Sequence, residues 1–319
     1  MMRRGTVIFI LINVAVILFL LNTCRTLISL LFEDGAADAI YSNEISVSYT
    51  KTLQNRTRLI PKIIHQTYTN DSIPSQWVNS QQSCKNLHKD YEYILWTDIK
   101  SRQFIATEYP WFLTTFDAYP YAIQRADAIR YFILAHYGGV YMDLDDGCNR
   151  RLDPLLFYPA WLRRTVPTGI SNDVMGSMPN HPFFLKTIQS LKAYQHYWGT
   201  PYISVMYSTG PLYLSVLWKE YMRDVHPAEE QVRILMPSDY QGFEQSFFNI
   251  SKGNSWHGKD ARTIFWMGRH WMLLTIVGFV VAIMFGGALW ILWNSCIMRN
   301  GRKNRWKDKE QYELIGRMD

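Results

Sequence analysis

The sequence predicts an α/β domain, with a mostly parallel central sheet flanked by helices, held between two membrane-spanning helices. Short β-favouring runs at Lys62 to Tyr68, Tyr91 to Trp96 and Val140 to Met142 alternate with stretches of helical period, and that order implies parallel pairing. Two uncharged runs, Gly5 to Cys24 and Trp271 to Met298, are each long enough to cross a hydrocarbon core of about 30 Å as a helix. What lies between them is one domain of ordinary size.

Arg3 and Arg4 precede the first run and no small-x-small cleavage site follows it, so it reads as a retained signal anchor rather than a cleaved signal peptide. The second run carries Trp271, Trp290 and Trp293 at its ends, as interfacial aromatics would. Arginine and lysine before the first run and after the second (Arg299, Arg302, Lys303, Arg305, Lys307, Lys309) place both tails in the cytosol and the middle in the lumen. Sequons at Asn55, Asn70 and Asn249 all fall in that middle segment. Of 33 Lys and Arg, nine lie in the tails, leaving 24; of 27 Asp and Glu, four lie there, leaving 23. The lumenal part is nearly neutral, which disfavours a nucleic-acid binder and makes the alkaline isoelectric point a matter of topology. Cys24 and Cys296 sit at span ends, leaving Cys84 and Cys148 where a disulfide could persist; whether they pair stays open.

The divisions expected are a cytosolic start at 1–4, an anchor at 5–24, a lumenal stem at 25–58 and a folded lumenal domain at 59–260. An interfacial helix at 261–270, a second span at 271–298 and a basic cytosolic tail at 299–319 follow. The stem mixes Asp, Glu, Ser, Asn and Ala without sustained period. In an open α/β sheet ligands rest beyond the carboxyl ends of strands, so His65, Gln66 and Thr67 fall where a nucleoside would lie. Ser75 to Leu87, Ser101 to Glu108 and Trp111 to Tyr119 read as helices. Leu155 to Arg164 combines bulky apolar side chains with adjacent arginines and reads either as a core-facing segment or as an interfacial element facing the bilayer. Gly169 to Gly176 looks like a strand edge lined by small polar residues, with Asn172 and Asp173 the candidates to line the wall of a binding site. His181-Pro182 and Ser208-Thr209-Gly210-Pro211 open further helices.

The chemistry concentrates at residues 125 to 146. Ile129, Phe132, Ile133 and His136 recur at helical spacing and leave Asp127 and Arg130 on a neighbouring face. Gly138-Gly139 stops that helix and reverses the chain into Val140-Tyr141-Met142, a strand pointing at Asp143, Asp145 and Asp146. Three carboxylates within four positions repel one another unless a cation sits among them, and hard oxygen ligands suit Mn²⁺ or Mg²⁺. Asp143 and Asp145 are the metal ligands expected here. Asp127 would accept hydrogen bonds from donor hydroxyls, while Arg130 and Arg125 offer cationic forks to a diphosphate or to Asp127 itself.

Arg125-x-Asp127-x-x-Arg130-Tyr131, followed by Gly138-Gly139-x-Tyr141-x-Asp143-x-Asp145, resembles the signature of glycosyltransferase family 32. Ile60 to Tyr68, Tyr93 to Asp98, Glu108 to Leu113 and Ser171 to Ser177 look like the inositol phosphorylceramide mannosyltransferases of that family, a likeness that extends from about 59 to 298 and includes the second span. Tyr68 stands where many relatives carry Trp. The resemblance implies a GT-A type nucleotide-sugar transferase fold, GDP-mannose as donor, the inositol headgroup of inositol phosphorylceramide as acceptor, and retention of configuration. It also implies a role in sphingolipid biosynthesis at the Golgi membrane or endoplasmic reticulum, and leaves room for a regulatory membrane subunit. By the same resemblance Tyr141, Ser255 and Trp256 belong with the donor, and His257 is carried over as a further metal ligand. The rival readings are a family 32 transferase acting on protein-linked glycans and a non-catalytic membrane partner.

Overall fold

The computed structural model describes residues 4–46, 57–166, 168–240, 246–251, 253 and 258–315. The chain divides into two compact units, Met1–Trp256 and His257–Asp319.

The first unit is built on a six-stranded sheet of order β2-β1-β3-β6-β5-β7. Its strands are β1 (Ile63–Thr67), β2 (Glu92–Trp96), β3 (Gly139–Met142), β5 (Ala160–Arg164), β6 (Ile170–Ser177) and β7 (Val232–Leu235). A separate two-stranded ladder pairs β4 (Asp146–Cys148) with β8 (Phe248–Ile250). β1 lies parallel to both β2 and β3, and β5 parallel to β7, as strand–helix–strand order dictates. β6 runs against both its neighbours, which makes the sheet mixed and places β6 inside it rather than at an edge. That reversal brings the start of β6 to the same edge as the ends of β1, β3 and β5. Between Leu162 and Arg163 the β5–β6 register jumps, so Asn172, Asp173 and Val174 have no partner on β5 and a bulge opens at that edge.

Alternation along the strands feeds two cores. Tyr141, Leu162 and Met175 join the helices on one face, while Ile64, Val140, Met142, Trp161 and Val174 pack on the other. The helix before β3, Ala122–Tyr137, is buried on nearly every side from Asp127 to Ala135, so the stripe read from its period understates its burial. Gly138 and Gly139 both take positive φ, and a Cβ at either would come within 2.8 Å of a backbone oxygen, of Ser177 and Ile63 respectively. Helices form at Ser75–Leu87, Asp98–Glu108, Pro110–Asp117, Pro182–Ser190 and Pro211–Tyr221 where the sequence places them, although the one expected to run through Tyr194 stops at Ser190; the helix Pro201–Ser208 was not expected. In chain order these helices, after α1 (Arg4–Thr23) and α2 (Arg25–Leu31), are α3 (75–87), α4 (98–108), α5 (110–117), α6 (122–137), α7 (182–190), α8 (201–208) and α9 (211–221), with a short α10 (Pro237–Tyr240) after β7.

Two readings of the sequence are decided here. Leu155 to Arg164 does not face a bilayer: every residue of β5 is buried in the sheet. Residues 25–46 are not a free stem. Leu30, Ile40 and Ile45 are buried, Ala39 bridges Ile234 alongside β7, and Glu33 and Glu44 pair with Lys219 and Arg233. Added to the edge of β7, this segment covers backbone that would otherwise be open to pairing. The first apolar run forms α1, and a 64° bend at Cys24, where that run was expected to end, leads into α2. Cys84 of α3 and Cys148 of β4 form a disulfide of 2.07 Å, which closes the question the spacing left open.

The second unit contains α11 (Lys259–Arg269) and α12 (Trp271–Ile315). Within α12, Trp271–Trp293 is long and apolar enough to cross a membrane, with a mean hydropathy of 2.5 and no buried residue.

Candidate active site

The carboxyl edge of the sheet gathers five carboxylates and two arginines. Asp143 follows β3, and its amide donates to the Asp173 carbonyl at 2.8 Å, so the strand end is pinned to the bulge in β6. The Tyr141 hydroxyl donates to Asp143 Oδ1 at 2.7 Å and shares a hydrogen bond of 2.8 Å with Thr67 Oγ1. Arg130, 3% exposed, lies 3.2 Å from Asp143 and 3.0 Å from Asp127, donates to the Asn172 carbonyl at 2.7 Å, and stacks its guanidinium 4.6 Å over the Tyr141 ring. One cation therefore serves two carboxylates and one strand terminus.

Arg163 does the same on the other side of the cluster. It pairs with Asp146 at 2.8 Å and also with Asp173, and its own side chain is 5% exposed. Asp145 has no such partner: among the described residues no ion pair reaches it. Its backbone carbonyl is held instead by the amide and hydroxyl of Ser251, at 2.8 and 2.9 Å.

Burial, then the charge of Asp143, pushes the Asp145 carboxyl up to about 6. Burial pushes Asp127 up to about 6 against the pull of Arg130, and raises Asp143 against that same arginine. Asp146 is likewise raised by burial, with Arg163 opposing. With all five carboxylates ionised against two guanidiniums, three negative charges are in surplus, and among the described residues Asp145 is the one of the five with no arginine partner. The oxygen donor set and this surplus fit a divalent cation held by Asp143 and Asp145. Among the described residues no group of three or more His, Cys, Asp or Glu side chains could hold a metal, so any remaining ligands would come from the donor or from outside those residues. Ser255, Trp256 and His257 lie outside the described residues.

Several residues expected to touch substrate are committed elsewhere. His65 is fully buried, donating to the Gly138 carbonyl at 2.9 Å while its Nδ1 accepts from Trp96 at 3.1 Å, and burial lowers it to about 4. It fastens β1 and β2 to the glycine turn and has no free nitrogen for a nucleoside. Gln66, also buried, donates to the Asp143 carbonyl at 3.3 Å and accepts from Tyr93 at 2.8 Å, so it supports Asp143 rather than the donor. Asp127 is closed off: Asn172 donates to its Oδ1 at 3.0 Å, and Thr209 to its Oδ2 at 3.2 Å. It positions Arg130. Asn172 is buried in this network and also donates to the Tyr131 hydroxyl, which removes it from an acceptor wall. Asp173, with its side chain 25% exposed, stays at the rim. Arg125 donates to the Tyr119 carbonyl at 2.8 Å and lies within electrostatic reach of Asp98, the first residue of α4, so it stands apart from the carboxylates. Thr67 and Tyr141 remain at the site.

The residues that sequence reasoning missed are Arg163, Thr209, Ser251 and Gly253. None carried a local signal: Ser251 and Gly253 lie more than a hundred residues from Asp145 in the sequence and reach it only through the fold. A cavity of about 420 Å³ lined by Asp38, Met222, His226 and Arg233 lies elsewhere in the unit and contains none of these residues.

A family model described as a glycosyltransferase sugar-binding region containing a DXD motif matches residues 74–161, a range that includes Asp143 and Asp145. A mannosyl phosphorylinositol ceramide synthase of Saccharomyces cerevisiae is 50% identical over 298 residues, covering 92% of this chain and 79% of its own. A second synthase of that name from the same yeast is 47% identical over 308 residues, covering 96% and 80%. Inositol phosphoceramide mannosyltransferase 3 of Schizosaccharomyces pombe is 50% identical over 259 residues, covering 79% and 70%.

Proposed function

The chain belongs to the family of mannosyl phosphorylinositol ceramide synthases and inositol phosphoceramide mannosyltransferases, and from that premise we propose that it moves mannose from GDP-mannose to the inositol headgroup of inositol phosphorylceramide. The observation that carries this reading is the carboxylate surplus at Asp143 and Asp145, set at the sheet edge where nucleotides bind in folds of this class. Bound between Asp143 and Asp145, Mn²⁺ or Mg²⁺ would neutralise the charge gathering on the departing diphosphate. Arg130 and Tyr141 fix Asp143 for that role, and Ser251 fixes Asp145.

The acceptor hydroxyl attacks C1 of the mannose on the face the diphosphate leaves. The C1–O bond to the diphosphate breaks as the bond to the acceptor oxygen forms, and the proton passes to the departing diphosphate oxygen. Double displacement would need a free carboxylate as nucleophile. Asp127, Asp143, Asp146 and Asp173 are each held by an arginine, and Asp145 is assigned to the cation, which supports the single-sided route. Both α1 and the apolar part of α12 are read as membrane anchors, with the first unit in the lumen of the Golgi. A regulatory membrane subunit remains part of the proposal on family grounds.

The test is an assay of detergent-solubilised protein with radiolabelled GDP-mannose, inositol phosphorylceramide and Mn²⁺, run beside Asp145→Ala and a glycan acceptor. Label on the lipid with wild type alone is the expected result. Label on the glycan would keep the site and discard the lipid; no transfer by the solubilised chain would point to the missing subunit, and no transfer with metal and host membranes supplying that subunit would discard the catalytic reading.

A further inference from the structure

α2 and α8 both pack on α9, although some 180 residues separate them in sequence. This brings the Tyr207 phenol, near the end of α8, within electrostatic reach of Cys24, where α1 ends; burial, then that thiol, raises the phenol. Trp198, in the loop before α8, stacks on Tyr207 with ring centroids 5.0 Å apart, and its amide donates to Ser204 Oγ at 2.9 Å, which fixes the loop on the helix. The loop is thus ordered around two aromatic side chains that remain largely in solvent, Trp198 at 47% and Tyr197 at 68% exposure.

A lone exposed aromatic needs no explanation, but two grouped with the half-buried Tyr207 beside the end of an apolar helix do. Tyr and Trp have an apolar body and a polar tip, and they settle at headgroup depth. The same short helix reaches the site: two residues beyond Tyr207, Thr209 donates to Asp127, and Ser208 accepts from Gln124 at 2.7 Å.

We propose that Tyr197, Trp198 and Tyr207 form a bilayer-contacting pad at the level where α1 leaves the membrane, and that the headgroup of the lipid acceptor reaches the carboxylate edge across it. This rests on the reading of the acceptor as a membrane lipid and of α1 as embedded. The occupant is lipid because the aromatics adjoin the end of an apolar helix and expose the Tyr197 and Trp198 rings, the Tyr197 hydroxyl donating to the Gly199 carbonyl at 2.6 Å, whereas a protein-docking hot spot would centre on aromatics enclosed by a ring of contacts. None of the three touches the metal-side carboxylates, so their loss should act on acceptor capture alone.

The test uses the full chain in phosphatidylcholine vesicles containing inositol phosphorylceramide. Tyr197→Ser combined with Trp198→Ser should raise the KM for lipid acceptor about tenfold, the order expected for losing aromatic contacts of this kind. The KM for GDP-mannose and the slow acceptor-free hydrolysis of GDP-mannose should not change, and Trp198→Phe should restore most of the loss. A photocrosslinking amino acid at position 197 should label phospholipid. An unchanged acceptor KM overturns the proposal, and so does crosslinking to a discrete protein, which would make the patch a subunit-docking surface. Should wild type transfer mannose to no lipid at all, the proposed function fails on its own, while the crosslink still decides whether the pad touches the bilayer.

Discussion

The Asp145 carboxylate lies directly against the backbone of Gly253: a Cβ at position 253 would fall 1.8 Å from Asp145 Oδ2. The atom met is the end of a short side chain, so the response to a larger residue is rotation of that carboxylate rather than collapse of the fold. Gly253→Ala is therefore expected to weaken the metal site, by about tenfold to a hundredfold on the scale of supporting-residue mutations. Titrating activity with Mn²⁺ measures it, and the thermal midpoint without metal should move little.

The pH dependence of stability has a definite sign. Asp127 and Asp145 are both raised to about 6 in the folded protein, above their ordinary values, so their contribution to stability is full below about pH 4 and is lost as the pH rises through 6. Metal-free protein should lose stability between pH 5 and pH 7.5 from this source. A cation repairs the loss, so the rise in thermal midpoint on adding Mn²⁺ should be larger at pH 7.5 than at pH 5. An equal rise at both would mean that these carboxylates are not the site of binding.

Arg163 compensates two carboxylates, one of them 2% exposed. Removing it leaves buried charge unpaired, at a cost of about 3–5 kcal/mol. Arg163→Met should lower the thermal midpoint by about 10 °C. Adding Asp146→Asn to that variant should recover much of the loss, since the charge left stranded is then gone. A double variant no more stable than the single would locate the cost in packing instead.

The Cys84–Cys148 bridge closes a loop of 64 residues between α3 and the ladder that follows the carboxylates. By loop entropy its removal should destabilise the first unit by about 4 kcal/mol. Cys84→Ser with Cys148→Ser should show this as a lower thermal midpoint, with a weakened response to Mn²⁺ because β4 begins at Asp146. Reducing agent should reproduce both effects in wild type.

What could be read from the chain alone was what depends on near neighbours. The glycine pair that ends α6, the β-favouring runs, and the carboxylates at 143, 145 and 146 all lie within one short stretch, and the structure places them at one edge. The fate of Arg163 was not legible, because an arginine next to Trp161 and Leu162 looks alike whether it meets lipid phosphate or a buried aspartate. Its partners come from β4 and β6 through the fold. His65 and Gln66 sit at the end of a strand as expected, yet their side chains turn inward, toward Trp96, Gly138 and Tyr93, and no local pattern reports that. The docking of residues 25–46 was hidden for the same reason: its apolar residues are few, and each finds its place on a surface made by β7 and α9.

That docked segment turns a leash into a splint. From the bend at Cys24 to Ile45 the chain is gripped by ion pairs, a backbone bridge and buried side chains, so torque on α1 is passed to the sheet instead of being lost in slack. A swinging arm lets a catalytic head sample targets at many heights. A splinted one gives up that sampling and works at a single depth, so lengthening the chain between residues 46 and 57 should leave its working height unchanged, whereas cutting the Glu33–Lys219 and Glu44–Arg233 pairs should free it.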